Sequence, residues 1–271
     1  MSAAIAVPRE QLVSAVARAE GRRVLRHPVF LAGVALSVFA FATQPEVTGA
    51  HAGHHYFSVA VGQAYFNLTG WGLLPLALAT LLTLNLAALR SRRDRTEETY
   101  RSLPTEAATQ TAAQLLAIVW AVAIGVVLVA AAFLYLGAGD GLVVDYDGRT
   151  AVPSPYELAQ GPLVVLVLGI LGVALAAWLP RFSVTLLVAF VVFATEVVFV
   201  LWTGIHSWAR WLFPLANSAT LNRSGVTFPP ASRADSGLAG FDVAAAGWHL
   251  GYLAALAVLL AAVALYRHRS A

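Results

Sequence analysis

The chain has 271 residues, of which 59% are hydrophobic and 11% charged, with a formal net charge of +3 and no cysteine. Soluble domains carry about 25% charged residues, so the composition is that of a membrane protein, and the missing cysteine excludes disulfides, thiolate metal sites, iron–sulfur clusters and cysteine nucleophiles. All 17 basic residues are arginine; without a lysine these residues hold no P-loop of the form G-x-x-x-x-G-K-[ST], so if ATP drives this protein, another subunit is expected to supply it.

Residues 9–27 open the pattern. Arg18, Arg22 and Arg26 recur every four residues on one face of a helical wheel, while Leu12, Val13, Val16, Ala17 and Val24 fall on another. That arrangement predicts an N-terminal amphipathic interfacial helix in the headgroup layer, its guanidinium groups against anionic membrane lipids. A positive-inside flank without a fixed helix is the plainer alternative. No apolar signal-peptide core lies here, so the N-terminus is expected to stay in the cytoplasm.

Pro28 ends this helix and leads into the first of six apolar stretches: 28–43, 69–89, 110–136, 161–179, 183–203 and 246–266. A helix crosses the hydrocarbon core with about 20 apolar residues; the first stretch is shorter than that. Residues 44–68 form an outer loop with His51, His54 and His55. Residues 137–160 are rich in glycine and proline and read as an exposed loop, where Asp140, Asp145, Asp147 and Glu157 are expected to be solvated. Only Leu179-Pro180-Arg181-Phe182 separates the fourth stretch from the fifth. The outer segment 204–245 carries Trp208, Trp211 and Phe213, aromatics suited to the membrane interface.

Arginine sets the orientation. Thirteen of the 17 fall before the first stretch, after the second, between the fourth and fifth, and after the last. Positive residues accumulate on the cytoplasmic side, so the expectation is an all-α polytopic membrane protein with six transmembrane helices and both termini cytoplasmic.

The segment after the second stretch reads Arg90-Ser91-Arg92-Arg93-Asp94-Arg95-Thr96-Glu97-Glu98-Thr99-Tyr100-Arg101-Ser102-Leu103-Pro104-Thr105. Ser91 and Asp94 fit the S-x-x-D pattern that starts a helix. Glu97 and Arg101 stand four apart in the favourable order, and Pro104 stops the helix. A solvated linker is the competing reading. With the arginine-rich helix ending in His27-Pro28, the R-x-x-R-x-E-E-x-x-x-x-L-P run between spans two and three, and the long outer segment between spans five and six, the chain resembles the permease subunit of type-2 ABC transporters, an exporter family. Thr96-Glu97-Glu98-Thr99 stands where many relatives have Gly-Thr-x-Glu.

The resemblance implies several things. Residues 91–103 would be the coupling helix docked on a separate ATP-binding ABC subunit, with Arg93, Glu97, Glu98, Tyr100, Arg101 and Leu103 as contact residues. Residues 9–27 would be the connecting helix, and 204–216 short re-entrant outer helices. Two permeases, alike or different, would pair, with the substrate path between the second and fifth spans of each. ATP and Mg would sit on the partner, leaving this chain without a cofactor or catalytic residues. The setting would be the bacterial cytoplasmic membrane and the substrate hydrophobic.

Glu196 is the one acid inside a span, where carboxylates by default mark a functional site or a paired structural charge. Gln63, Asn67 and Thr69 are candidate hydrogen-bond partners for it. Asn67, Asn85 and Glu196 are the candidate pathway residues. His51, His54 and His55 as H-x-x-H-H offer imidazoles to a metal but lack an accompanying carboxylate or thiolate. No G-x-S-x-G, H-E-x-x-H or G-x-G-x-x-G occurs, and nothing suggests nucleic-acid binding. Two other readings stay open: a membrane anchor binding haem or quinone, and a non-transporting immunity or regulatory protein.

Overall fold

The computed structural model describes residues 9–43, 68, 70–93, 107–138, 155–201 and 243–267. Among these residues the regular structure is entirely helical. The helices are α1 (Arg9–Leu25), α2 (Pro28–Ala42), α3 (Leu74–Arg93), α4 (Ala107–Ala138), α5 (Pro155–Trp178), α6 (Phe182–Leu201) and α7 (Val243–Tyr266), with a 3₁₀ turn at Trp71–Leu73 before α3. The protein is thus an all-α, multi-pass membrane protein.

Four helices are long and apolar enough to cross a membrane, within α3, α4, α5 and α7. The expected first span is α2, 15 residues long, about 22 Å at 1.5 Å per residue against a core of about 30 Å. It bends from α1 by 62°, and the two count as at most one broken span. In α6 the apolar helix Phe182–Val197 also falls short. The described residues therefore give four or five crossing helices where the sequence suggested six.

The break between α1 and α2 has a local cause. Proline lacks an amide and suits the first helical turn, and His27 before it is extended, with φ −73° and ψ 131°. The His27 Nδ1 accepts from the Val29 amide at 3.3 Å, capping α2. Further along, Gly70 at φ 153° occupies backbone space closed to other residues and starts the turn into α3. The Ser37 hydroxyl of α2 accepts from the Leu76 amide at 3.2 Å, in the first turn of α3, where helical amides lack intrahelical partners.

α5 is the centre of the bundle. Its membrane window is 72% buried, against 67% for α3, 33% for α4 and 22% for α7. It packs on α3, α4 and α7. Small residues make this possible, as they do between membrane helices generally. A Cβ on Gly172 would run into the Leu81 carbonyl of α3, and one on Gly169 would lie 2.9 Å from Ile118 Cγ2 of α4. The Trp178 Nε1 of α5 donates to the Val263 carbonyl of α7 at 3.0 Å, and the Arg267 guanidinium sits 5.4 Å from the Trp178 ring centroid. Both contacts join C-terminal ends, so α5 and α7 run parallel. The faces left uncovered are apolar: Phe39 on α2, Leu134 on α4, Phe190 on α6 and Val258 on α7 are each more than 60% exposed. That is the surface a bilayer solvates.

Two boundaries differ from expectation. α5 begins at Pro155, so Tyr156 to Gln160 are helical and Glu157 is buried rather than solvated in a loop. α3 continues through Ser91 to Arg93, so Ser91 lies inside that helix instead of capping a new one.

Candidate functional site

Two groups of polar residues stand out against this apolar bundle. The first is a set of buried polar side chains spread over α3, α5 and α6. α6 packs mainly on α3, and the face it buries carries Thr185, Ala189 and Glu196 at helical spacing. From α3 come Thr80, Thr83 and Asn85, and from α5 Glu157 and Gln160, all at most 1% exposed. Thr80 is satisfied locally, its hydroxyl donating to the Leu76 carbonyl at 2.7 Å. Among the described residues no hydrogen-bond partner meets Thr83 Oγ1, Thr185 Oγ1 or either amide atom of Gln160. Buried polar groups are costly unless hydrogen-bonded. Thr83, Thr185 and Gln160 are therefore the buried polar groups of the bundle open to water or a polar ligand.

Asn85 has a defined role within this set. Its Nδ2 donates to the Gly172 carbonyl at 3.1 Å, so its amide ties α3 to α5 at the close approach that Gly172 permits. Glu196 is fully buried on α6. Asn67, Gln63 and Thr69 lie outside the described residues.

The second group is basic and gathers where α1, α2 and α3 meet. Gly21, Ala17 and Val24 bury one face of α1. α1 packs along α4, where a Cβ on Gly21 would run into the Trp120 indole. The opposite face exposes Arg18, Arg22 and Arg26, as the helical wheel predicts. Arg22 and Arg26 line a cleft together with Arg23, His27, Pro28 and Arg90. Burial, and after it the charge of Arg90, holds the His27 imidazole below its ordinary value of 6.5, so its Nδ1 stays free to accept from Val29.

Of the expected coupling residues, Arg93 is the last residue of α3, whereas Glu97, Glu98, Tyr100, Arg101 and Leu103 lie outside the described residues. So do His51, His54 and His55, and residues 204–242 of the expected outer segment, whose last three positions belong to α7. His249 is buried on α7 with its ring 5.8 Å from that of Tyr252. Among the described residues no three of histidine, cysteine, aspartate and glutamate come together as a metal site.

Sequence reasoning missed Glu157 and Gln160, although Pro155 with an acid two residues on is a helix-start signal. It also missed the partnership of Arg90 with α1. The signal was available, because arginines flanking two adjacent spans on one side of a membrane lie at one depth. No family model, no curated protein and no solved structure matches this chain.

Proposed function

We propose that this chain is the permease subunit of a type-2 ABC exporter in the bacterial cytoplasmic membrane, with six spans and both termini cytoplasmic. It pairs with a second permease and moves a hydrophobic substrate. ATP and Mg are bound by an ATPase partner, since these 271 residues contain no lysine for a P-loop. The observation that carries this reading is the meeting of α1 and the charged end of α3 in one cleft, at one end of the bundle. The resemblance assigns to the ATPase contact α1 and the 91–103 segment, which begins directly after Arg90. The α3–α6 packing, with Thr185 and Glu196 on the buried face of α6, supports it further, since these helices correspond to the second and fifth spans that border the pathway.

In mechanical terms, ATP binding closes the two ATPases, and their motion enters the membrane through the 91–103 segment and α1. The paired permeases then exchange inward for outward access. A mild-detergent pull-down of the tagged chain should bring down a soluble P-loop protein in near-equal amount, with ATPase activity. Replacing Glu97, Glu98 and Arg101 together by alanine should abolish substrate-stimulated ATP hydrolysis while the thermal unfolding of the helices stays unchanged. Recovery of the chain without any ATPase would overturn the permease reading, and normal coupling in the triple variant would remove this segment from the mechanism.

A further inference from the structure

Four guanidinium groups share one cleft of about 470 Å³: Arg22 and Arg23 of α1, Arg26 in the turn after it, and Arg90 of α3, with His27 and Pro28 between them. Among the described residues one ion pair relieves this charge, the Arg23 Nη1 donating to Glu20 Oε1 at 2.8 Å. Arg22, Arg26 and Arg90 remain without an acidic partner there. Like charges held this close repel one another, and an anion in the cleft turns that repulsion into attraction.

The position of the cleft selects the anion. Pro28 begins the apolar helix α2, and Arg90 ends the apolar window Trp71–Arg90. The cleft thus lies where two helices enter hydrocarbon, at the level of lipid phosphates. From Pro28 a stripe of exposed residues, Leu31, Ala35, Val38 and Ala42, runs the length of α2 at intervals of three and four. Leu31 is 53% and Val38 46% exposed. A phosphate in the cleft that belongs to a lipid has an apolar track for its acyl chain; a soluble phosphate leaves that track unused.

We propose that this cleft binds an anionic phospholipid whose headgroup carries two phosphates. Arg22, Arg26 and Arg90 take the phosphate oxygens, and an acyl chain lies along the exposed stripe of α2. The planar guanidinium fork matches phosphate oxygens two at a time, and basic pockets between membrane helices suit such headgroups. Three unbalanced arginines call for more negative charge than one phosphodiester supplies. The positive end of the α2 dipole, at His27 and Pro28, adds to the attraction. Nothing in this assignment depends on an ATPase partner.

Arg18 provides the control. It lies on the same exposed ridge of α1 but outside the cleft, its Nε donating to the Ser14 carbonyl at 3.3 Å. The full chain, purified in mild detergent, is titrated by native mass spectrometry with cardiolipin, phosphatidylglycerol and phosphatidylethanolamine, and with inorganic pyrophosphate as competitor. Cardiolipin should bind best, with pyrophosphate a poor competitor. Arg90→Gln and Arg26→Gln should each weaken cardiolipin about fivefold, the loss expected for one arginine at a lipid surface, while Arg18→Gln leaves it unchanged. Melting temperatures in lipid-free detergent check folding, and if Arg90→Gln melts early, Arg26→Gln in the exposed turn after α1 carries the comparison. Equal losses for Arg18→Gln and the cleft variants would mean diffuse surface attraction and overturn the site. Displacement of cardiolipin by equimolar pyrophosphate would overturn the lipid assignment, as would no preference over phosphatidylethanolamine.

Discussion

At Gly172 two demands meet on one residue. The absence of a side chain lets α5 reach the Leu81 carbonyl of α3, and it leaves the Gly172 carbonyl open to the Asn85 amide at 3.1 Å. Gly172→Ala should therefore cost roughly 1–3 kcal/mol through overpacking against backbone. Asn85→Ala should cost less, about 0.6 kcal/mol, the usual worth of a hydrogen bond between membrane helices. Denaturant titration in detergent measures both, and an Asn85→Ala loss exceeding that of Gly172→Ala would reverse this ranking. Asn85 was readable from sequence as a polar residue in a span, and so as a candidate for the pathway. Its acceptor is a backbone carbonyl on another helix, and a carbonyl leaves no mark in the sequence. Gln160 shows the opposite case: its buried, unpartnered amide was hidden because the residues before it read as a loop.

Between α1 and α2 the elbow depends on the protonation of one residue. The His27 Nδ1 accepts from the Val29 amide, while Arg22 and Arg23 from α1, Arg26 from the turn after it and Arg90 from α3 face the same cleft. Burial and Arg90 depress its affinity for a proton, so the unfolded chain protonates first as pH falls. The contribution to stability is fully present above pH 6.5, and it is lost as pH drops from 6.5 through the lowered value. The melting temperature in detergent should fall between pH 7.5 and 5.5, and His27→Asn, which keeps a capping oxygen without a titrating group, should flatten that decline. An equal slope in both proteins would place the pH sensitivity elsewhere. Elements of this kind were legible where proline and arginine punctuate the chain: the helicity of α1, the break at Pro28 and the turn at Pro180. Their ends were less so. Ser91 with Asp94 imitates a helix start, yet Ser91 lies within α3, which extends to Arg93; a capping residue inside a helix carries the same letters as one at its beginning.

Across the whole molecule, hydropathy identified the membrane and said little about the arrangement within it. Lipid and protein core are equally apolar, so a helix gains no contrasting face from being central. The central position of α5 was visible only in its small residues, Gly169 and Gly172, and its polar first turns. Arginine placement predicts the orientation, and a chain without cysteine makes that expectation directly testable. A membrane-impermeant maleimide should label Tyr156→Cys in intact cells, and Ser14→Cys and Ser183→Cys only after lysis. The reverse pattern would invert the topology. The burial of α5 also bears on biosynthesis. Asn85 enters the bilayer 87 residues ahead of its acceptor, which at ordinary translation speed is a delay of roughly 4–17 s. Through that interval α3 carries Thr83 and Asn85 with no α5 to receive them, so the nascent chain depends on the insertion machinery to shelter α3 until α5 is made.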